Sequence, residues 1–279
     1  MVPPISGIRQ EEFEMKTHHP SGPVRIASRE EWRQARIALL AKEKALTAMK
    51  DALAAERRQL PWVRIDKDYV FDSPTGPVTL SELFEGRSQL FIKHFMMGPG
   101  QSQQCVGCSL EVDHLAGIRV HLENHDVIYA VVARAPIEEI EILKRKMGWD
   151  FTWVSSYRND FNFDFNVSFT DAEIARGRGY YNFREVDVNP GMIDFSGDSV
   201  FVKDEAGEIY HTYSSYARGG EQFLGIYSYL DVTPKGRAEN GPYHSLPDWV
   251  RPHNMYSRGG TVSDMGRYHA ADCGCAAHL

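Results

Sequence analysis

Three short apolar runs constrain this chain more than any other feature. Residues 89–97 (QLFIKHFMM), 126–133 (DVIYAVVA) and 151–156 (FTWVSS) are strand-length hydrophobic segments, the pattern of strands covered on both faces. An amphipathic stretch, 109–123, separates the first two. Between the second and third, Pro136 opens a helix over 137–147 that turns Ile137, Ile140 and Leu143 inward. Strands alternating with helices in this order predict βαβ units with right-handed crossovers, hence an α/β fold around a parallel core.

The flanks extend that core. Residues 69–71 and 77–80 bracket a turn-rich Asp72-Ser73-Pro74-Thr75-Gly76, and 198–203 and 208–215 bracket Asp204-Glu205-Ala206-Gly207. Both read as hairpins. A closing helix is expected over 220–230. Upstream, a long N-terminal helix is expected over 23–61: Ser28 and Glu31 have capping-box spacing and Pro61 stops the run. Trp32, Leu39, Leu46, Leu53 and Leu60 recur every seventh residue, with Lys42 and Glu56 breaking the companion position. Such a stripe suits either a helix lying across its own domain, the preferred reading, or a homodimer arm. Residues 1–22 read as a mobile leader, 62–235 as the main domain, and 236–279, rich in Gly, Pro and Asn, as a loosely ordered tail.

Charge narrows the function. Lys and Arg number 31 against 38 Asp and Glu, a net charge of −7, and no basic stretch is dense enough to neutralise a phosphate backbone, so nucleic acid is not an expected partner. No apolar run reaches the ~18 residues of a membrane span, so no membrane role is expected. Residues 1–20 lack the apolar region of a secretory signal. A cytoplasmic location is therefore the expectation.

Four cysteines are too few for a disulfide scaffold, but they come as two pairs, Cys105 with Cys108 and Cys273 with Cys275. The first pair is a C-x-x-C placed after a buried strand and at the start of a helix. There, unpaired N–H groups and the helix dipole lower a thiol's pKa. Cys105 reads as the exposed nucleophile and Cys108 as the buried resolving thiol one turn further in. The other readings of a lone C-x-x-C are half a metal site or inert structural cysteines, and neither the second C-x-x-C nor the His pair of a zinc finger follows at the right spacing. No metal site is expected. The terminal Cys-Gly-Cys reads as an idle tail, a secondary redox pair or a soft-metal pair.

Several stretches carry a family resemblance: IASREEW, LPWVRIDKDYVFDSPTGPVTLSELFEGRSQL, HFMMGPG followed by CVGCS, DFNFDFNVSF, IYHTYSSYARG and YSYLDVTPKGR. From Arg25 to about Tyr229 the chain resembles the bacterial DUF899 family, thioredoxin-like proteins described as predicted dithiol-disulfide oxidoreductases. The resemblance implies a thioredoxin-like, peroxiredoxin-like central sheet flanked by helices, and a redox-active dithiol at Cys105 and Cys108. The implied activity is thiol–disulfide exchange with no organic cofactor, acting on a disulfide-containing protein or a small thiol or disulfide. The alternatives are a thiol peroxidase and a non-catalytic metal- or partner-binding module. Peroxiredoxins use P-x-x-x-[ST]-x-x-C; here Ser102 stands at the right offset from Cys105, but Gly98 occupies the proline position, with Pro99 one residue late. Thioredoxins place a cis-proline before the strand facing the cysteines, and the corresponding residues 196–200 contain no proline.

Four residues are candidates for tuning the thiols or binding substrate. Ser102 holds the peroxiredoxin offset. Lys93 and His94 interrupt the strand leading to the site, and since neighbours on a strand face opposite ways, at most one of them leans over the cysteines. Arg134 ends the next strand, where a parallel sheet presents its functional edge.

Overall fold

The computed structural model describes residues 24–271; the leader and the Cys273–Cys275 pair lie outside the described residues. The chain opens with α1 (Arg29–Arg57). The Ser28 hydroxyl accepts from the Glu31 N–H while the Glu31 carboxylate accepts from the Ser28 N–H, the capping box its spacing predicts. α1 buries none of its residues, and Trp32, Leu39, Leu46 and Leu53 are all exposed. The preferred reading, a helix lying across its own domain, is thus corrected. Lys42 and Glu56 break the companion position of the heptad stripe, which leaves it too narrow to hold the helix on a globular surface.

Next come β1 (Val63–Arg64), β2 (Val70–Ser73), β3 (Gly76–Thr79) and β4 (Gln89–His94). β5 (Gln104–Cys105), α2 (Val106–Asp113), α3 (Leu115–Asn124), β6 (Val127–Ala133), α4 (Ile137–Met147) and β7 (Thr152–Ser155) follow. Two short helices, α5 (Phe161–Asp164) and α6 (Asp171–Arg176), lead to a small hairpin of β8 (Arg178–Tyr181) and β9 (Arg184–Asp187). The chain continues through β10 (Gly197–Lys203), β11 (Ile209–Tyr216), α7 (Gly225–Leu230), β12 (Thr261–Val262) and β13 (Arg267–His269). The closing helix is shorter than expected, a 3-10 turn over Ala217–Phe223 preceding α7. Gly219, Gly220 and Gly225 weaken a continuous helix there.

Eight strands form one sheet in the order β1-β11-β10-β4-β6-β7-β2-β3. β4, β6 and β7 are parallel, β10 is antiparallel to β4, and β11 to β10. Four adjacent strands, β11-β10-β4-β6, joined between β4 and β6 by a helical crossover with a C-x-x-C at its start, form a thioredoxin-like fold. Two cores lie on opposite faces of this sheet. Leu90, Ile92, Ile128, Ala130 and Val132 pack with Phe71, Phe84 and Phe161 on one face. Tyr129, Val131 and Ala133 pack with Cys108, Val112, Ile140 and Trp153 on the other. The near-continuous apolar runs thus serve both faces, the alternating residues going to opposite cores. Among the described residues, no helix is long and apolar enough to cross a membrane.

The loosely ordered tail is a second correction. Over the described part, Val250, Val262 and Tyr268 are buried against Val106 of α2, with Leu246 and Trp249 beside them. β13 pairs with both β12 and β5. Single apolar anchors far apart in sequence hold this segment down, without the periodicity that marks a helix or long strand.

Candidate functional site

β5 delivers Cys105 to the N-cap of α2, with extended backbone at φ −72° and ψ 115°. Its Sγ accepts from the Cys108 N–H at 3.4 Å and lies 3.6 Å from Met96 Sδ. Cys108, one turn into the helix, accepts from the Met96 N–H at 3.4 Å. Both cysteines are free thiols. A hydrogen bond from the Cys108 thiol, helped by Arg267, the Cys108 N–H and Lys93, brings the Cys105 pKa down to about 6 against the opposing effect of burial. Burial pushes Cys108 well above an ordinary thiol, and its bond to Cys105 adds to the rise. Helix-cap geometry and nearby cations thus divide two identical side chains into an anion and a proton donor.

The expectation of an exposed nucleophile is corrected. Cys105 is 4% exposed and Cys108 2%. The C-terminal segment covers them. Arg267 of β13 is the Cα partner of Cys105, and the Gly266 carbonyl accepts from the Val106 N–H at 2.9 Å. Leu246 closes over Gly107, its Cδ2 3.7 Å from where a Cβ would stand. Both cysteines nevertheless line a cavity of about 1080 Å³, together with Lys93, Met96, Glu111 and Leu246.

Lys93 and His94 part company as strand alternation requires. Lys93, 2% exposed, faces α2, where its ammonium is bound by Glu111 and by Asp198 Oδ1 at 3.3 Å. Burial opposes its charge, but Asp198 and Glu111 override that and hold its pKa well above the ordinary lysine value. Burial pushes the Glu111 carboxyl up, and Asp198 adds to the rise. Two buried carboxyl groups thus meet one ammonium, and the crowding raises the proton affinity of Glu111, whose Oε1 accepts from the Tyr129 hydroxyl at 3.3 Å. His94 points into the opposite core, stacked on Phe161 and Phe165, with Nε2 2.8 Å from Ser199 Oγ. It has no place at the thiols.

Two other candidates also lie elsewhere. Ser102 is exposed and lines a separate cavity of about 360 Å³ with Phe95, Met97 and Lys146. Its peroxiredoxin-like offset does not bring its hydroxyl into the cavity that holds the cysteines. Arg134 is clamped by Asp194, with Nε and Nη2 donating to the two carboxylate oxygens at 2.7 and 2.8 Å, and does not line the dithiol cavity. A bidentate partner already satisfies the guanidinium face that an anionic substrate would need.

The structure brings Glu111, Asp198 and Arg267 to the dithiol, none of which stands out in the sequence. Glu111 had one available signal, its position three residues after Cys108 on the same helix face. Asp198 had only its place in the strand expected beside the site, and Arg267 had none. Among the described residues, no cluster of three or more His, Cys, Asp or Glu side chains is arranged to hold a metal ion.

Comparison with solved structures returns peroxiredoxins. A cysteine-to-serine mutant of Xanthomonas campestris peroxiredoxin Q is 14% identical, with 62% of this chain and 95% of that one covered at a TM-score of 0.39. The mitochondrial 2-Cys peroxiredoxin of Plasmodium falciparum is 16% identical over 60% of this chain and 90% of that one, at a TM-score of 0.36. Peroxidoxin BcpB of Mycobacterium tuberculosis is 13% identical over 62% and 97%, also at 0.36. No curated protein matches the chain. A family model matches residues 21–256, and on that match the chain belongs to DUF899, described as bacterial proteins of unknown function.

Proposed function

We propose that this chain is a thiol–disulfide oxidoreductase with Cys105 as nucleophile and Cys108 as resolving thiol. The observation that carries the reading is the Cys105 sulfur at a helix N-cap, accepting from the Cys108 N–H at 3.4 Å, an arrangement in which its pKa falls to about 6. At neutral pH it is an anion beside a protonated partner, the starting state for exchange.

The Cys105 thiolate attacks one sulfur of a disulfide RS–SR. A Cys105–SR bond forms, the S–S bond breaks, and RS⁻ leaves. That thiolate takes the Cys108 proton and departs as RSH. Cys108, now an anion favoured by the Lys93 ammonium, attacks Cys105, forms the Cys105–Cys108 disulfide and expels a second RS⁻, which is protonated by water. The protein dithiol loses two electrons and RS–SR gains them. A cytoplasmic thiol then reduces the protein disulfide, and no organic cofactor takes part.

Cys105→Ser is expected to abolish disulfide reduction, while Cys108→Ser stops at a mixed disulfide on Cys105 that mass spectrometry detects. Undiminished turnover by Cys105→Ser overturns the reading. Alkylation of Cys105 by iodoacetamide should rise with a midpoint near pH 6, since the thiolate is the reactive form.

A further inference from the structure

The cover over the dithiol selects substrates by size. We propose that the disulfide reduced at Cys105 is a low-molecular-weight one, of an amino-acid or short-peptide thiol, entering the cavity whole. A disulfide on the surface of a folded protein is excluded. This inference rests on the exchange reading above and specifies its substrate.

Three observations converge on it. Exchange requires the incoming S–S bond to lie in line with the attacking sulfur, so a protein disulfide must bring its flanking backbone up to Cys105. The places where that backbone would dock are filled by this chain's own residues. β13 occupies an edge of β5 directly opposite Cys105, Leu246 sits over Gly107, and Val250, Val262 and Tyr268 cover Val106.

The second observation is the thiol itself. Cys105 is 4% exposed and lines the cavity. A protein surface is too blunt to follow it there without displacing the C-terminal segment.

The third is the space that remains. A volume of about 1080 Å³ lies just above the roughly 300–1,000 Å³ typical of small-molecule sites. Its walls carry fixed charges of both signs. Arg218 Nε donates to Glu221 at 2.7 Å, Arg237 Nε donates to Asp231 at 2.6 Å, and the Arg237 guanidinium lies 3.7 Å from the centre of the Tyr227 ring. Both pairs are bidentate, with Arg218 Nη2 also donating to Glu221 at 3.0 Å and Arg237 Nη2 to Asp231 at 2.6 Å, so they hold the wall of the cavity rigid and polar around whatever enters it.

The test is a single turnover of the reduced full-length chain. It is mixed separately with cystine, oxidised glutathione and insulin at equal disulfide concentration, and Cys105–Cys108 disulfide formation is followed by acid quench and mass spectrometry. Cystine or oxidised glutathione should react at least 100-fold faster than insulin. A ratio below 100 overturns the size selection while leaving exchange at Cys105 intact. Failure of all three to oxidise the dithiol overturns the exchange reading and this inference with it.

Discussion

Arg267 and Cys105 face each other as Cα partners across the antiparallel pairing of β13 with β5. The guanidinium is buried, its Nη1 donates to the Met96 carbonyl at 2.7 Å, and its charge favours the Cys105 thiolate. A segment that sequence composition marks as a tail therefore supplies a cation to the Cys105 sulfur.

Arg267→Met removes the charge and keeps much of the aliphatic stem. The Met96 carbonyl keeps a donor, Gln101 Nε2 at 3.1 Å, so the local fold should survive. The midpoint of Cys105 alkylation should rise by about one pH unit. An unchanged midpoint in the iodoacetamide pH profile would show that the guanidinium serves only to hold the strand.

Lys93 is the ammonium between two buried carboxyl groups, and Asp198 is 0% exposed. Lys93→Met leaves Asp198 without its counter-ion and should destabilise the protein by about 3–5 kcal/mol, the cost of stranding a buried charge. Adding Asp198→Asn should recover more than half of that loss in urea unfolding. Lack of recovery would mean that Glu111, and not Asp198, carries the negative charge.

What could be read from the sequence divides along a physical line. β4, β6 and β7 announced themselves because a strand covered on both faces must be apolar throughout. The opposite placement of Lys93 and His94 followed from strand geometry alone. The cover over Cys105 left no such trace, because it depends on single contacts such as Leu246 on Gly107 and Tyr268 on the Gly259 carbonyl. A residue like Arg267 acts on a cysteine far away in sequence, and no local spacing encodes that meeting. Ser102 misled for the complementary reason: its offset from Cys105 is a distance along the chain, and the turn through Gly98, Pro99 and Gly100 sends it to another cavity.

His94 makes the fold sensitive to acid. Burial, with Lys93 and His211 adding to it, lowers its pKa to about 3 from 6.5, so the folded state binds fewer protons than the unfolded chain between those values. Its contribution to stability is present above pH 6.5 and is lost as pH falls towards 3, at up to about 1.4 kcal/mol per unit. In His94→Phe, the drop in unfolding free energy between pH 7 and pH 5 should be smaller than in the parent by about 2 kcal/mol. Equal drops in urea titrations at the two pH values would assign the acid sensitivity to other groups.

Gly98 explains why the chain departs from the peroxiredoxin pattern where it does. A Cβ at this position collides with Asp194 Oδ2 and comes 3.5 Å from Arg134 Nη2. Asp194 also accepts from the Ser168 hydroxyl at 2.6 Å, so one carboxylate ties β6 to the segment that carries Met192 and Phe195 into the cavity wall. Proline or alanine at 98 would have to push that carboxylate away. Gly98→Ala should therefore destabilise the protein by about 3 kcal/mol, the low end of the cost of breaking a buried ion pair. It should also raise KM for a small disulfide more than it lowers kcat, since the thiols themselves do not move. Thermal unfolding together with steady-state kinetics checks both halves. A variant with parental stability and KM would mean that the clamp between Arg134 and Asp194 re-forms around the added methyl group and that Gly98 is not what keeps it in place.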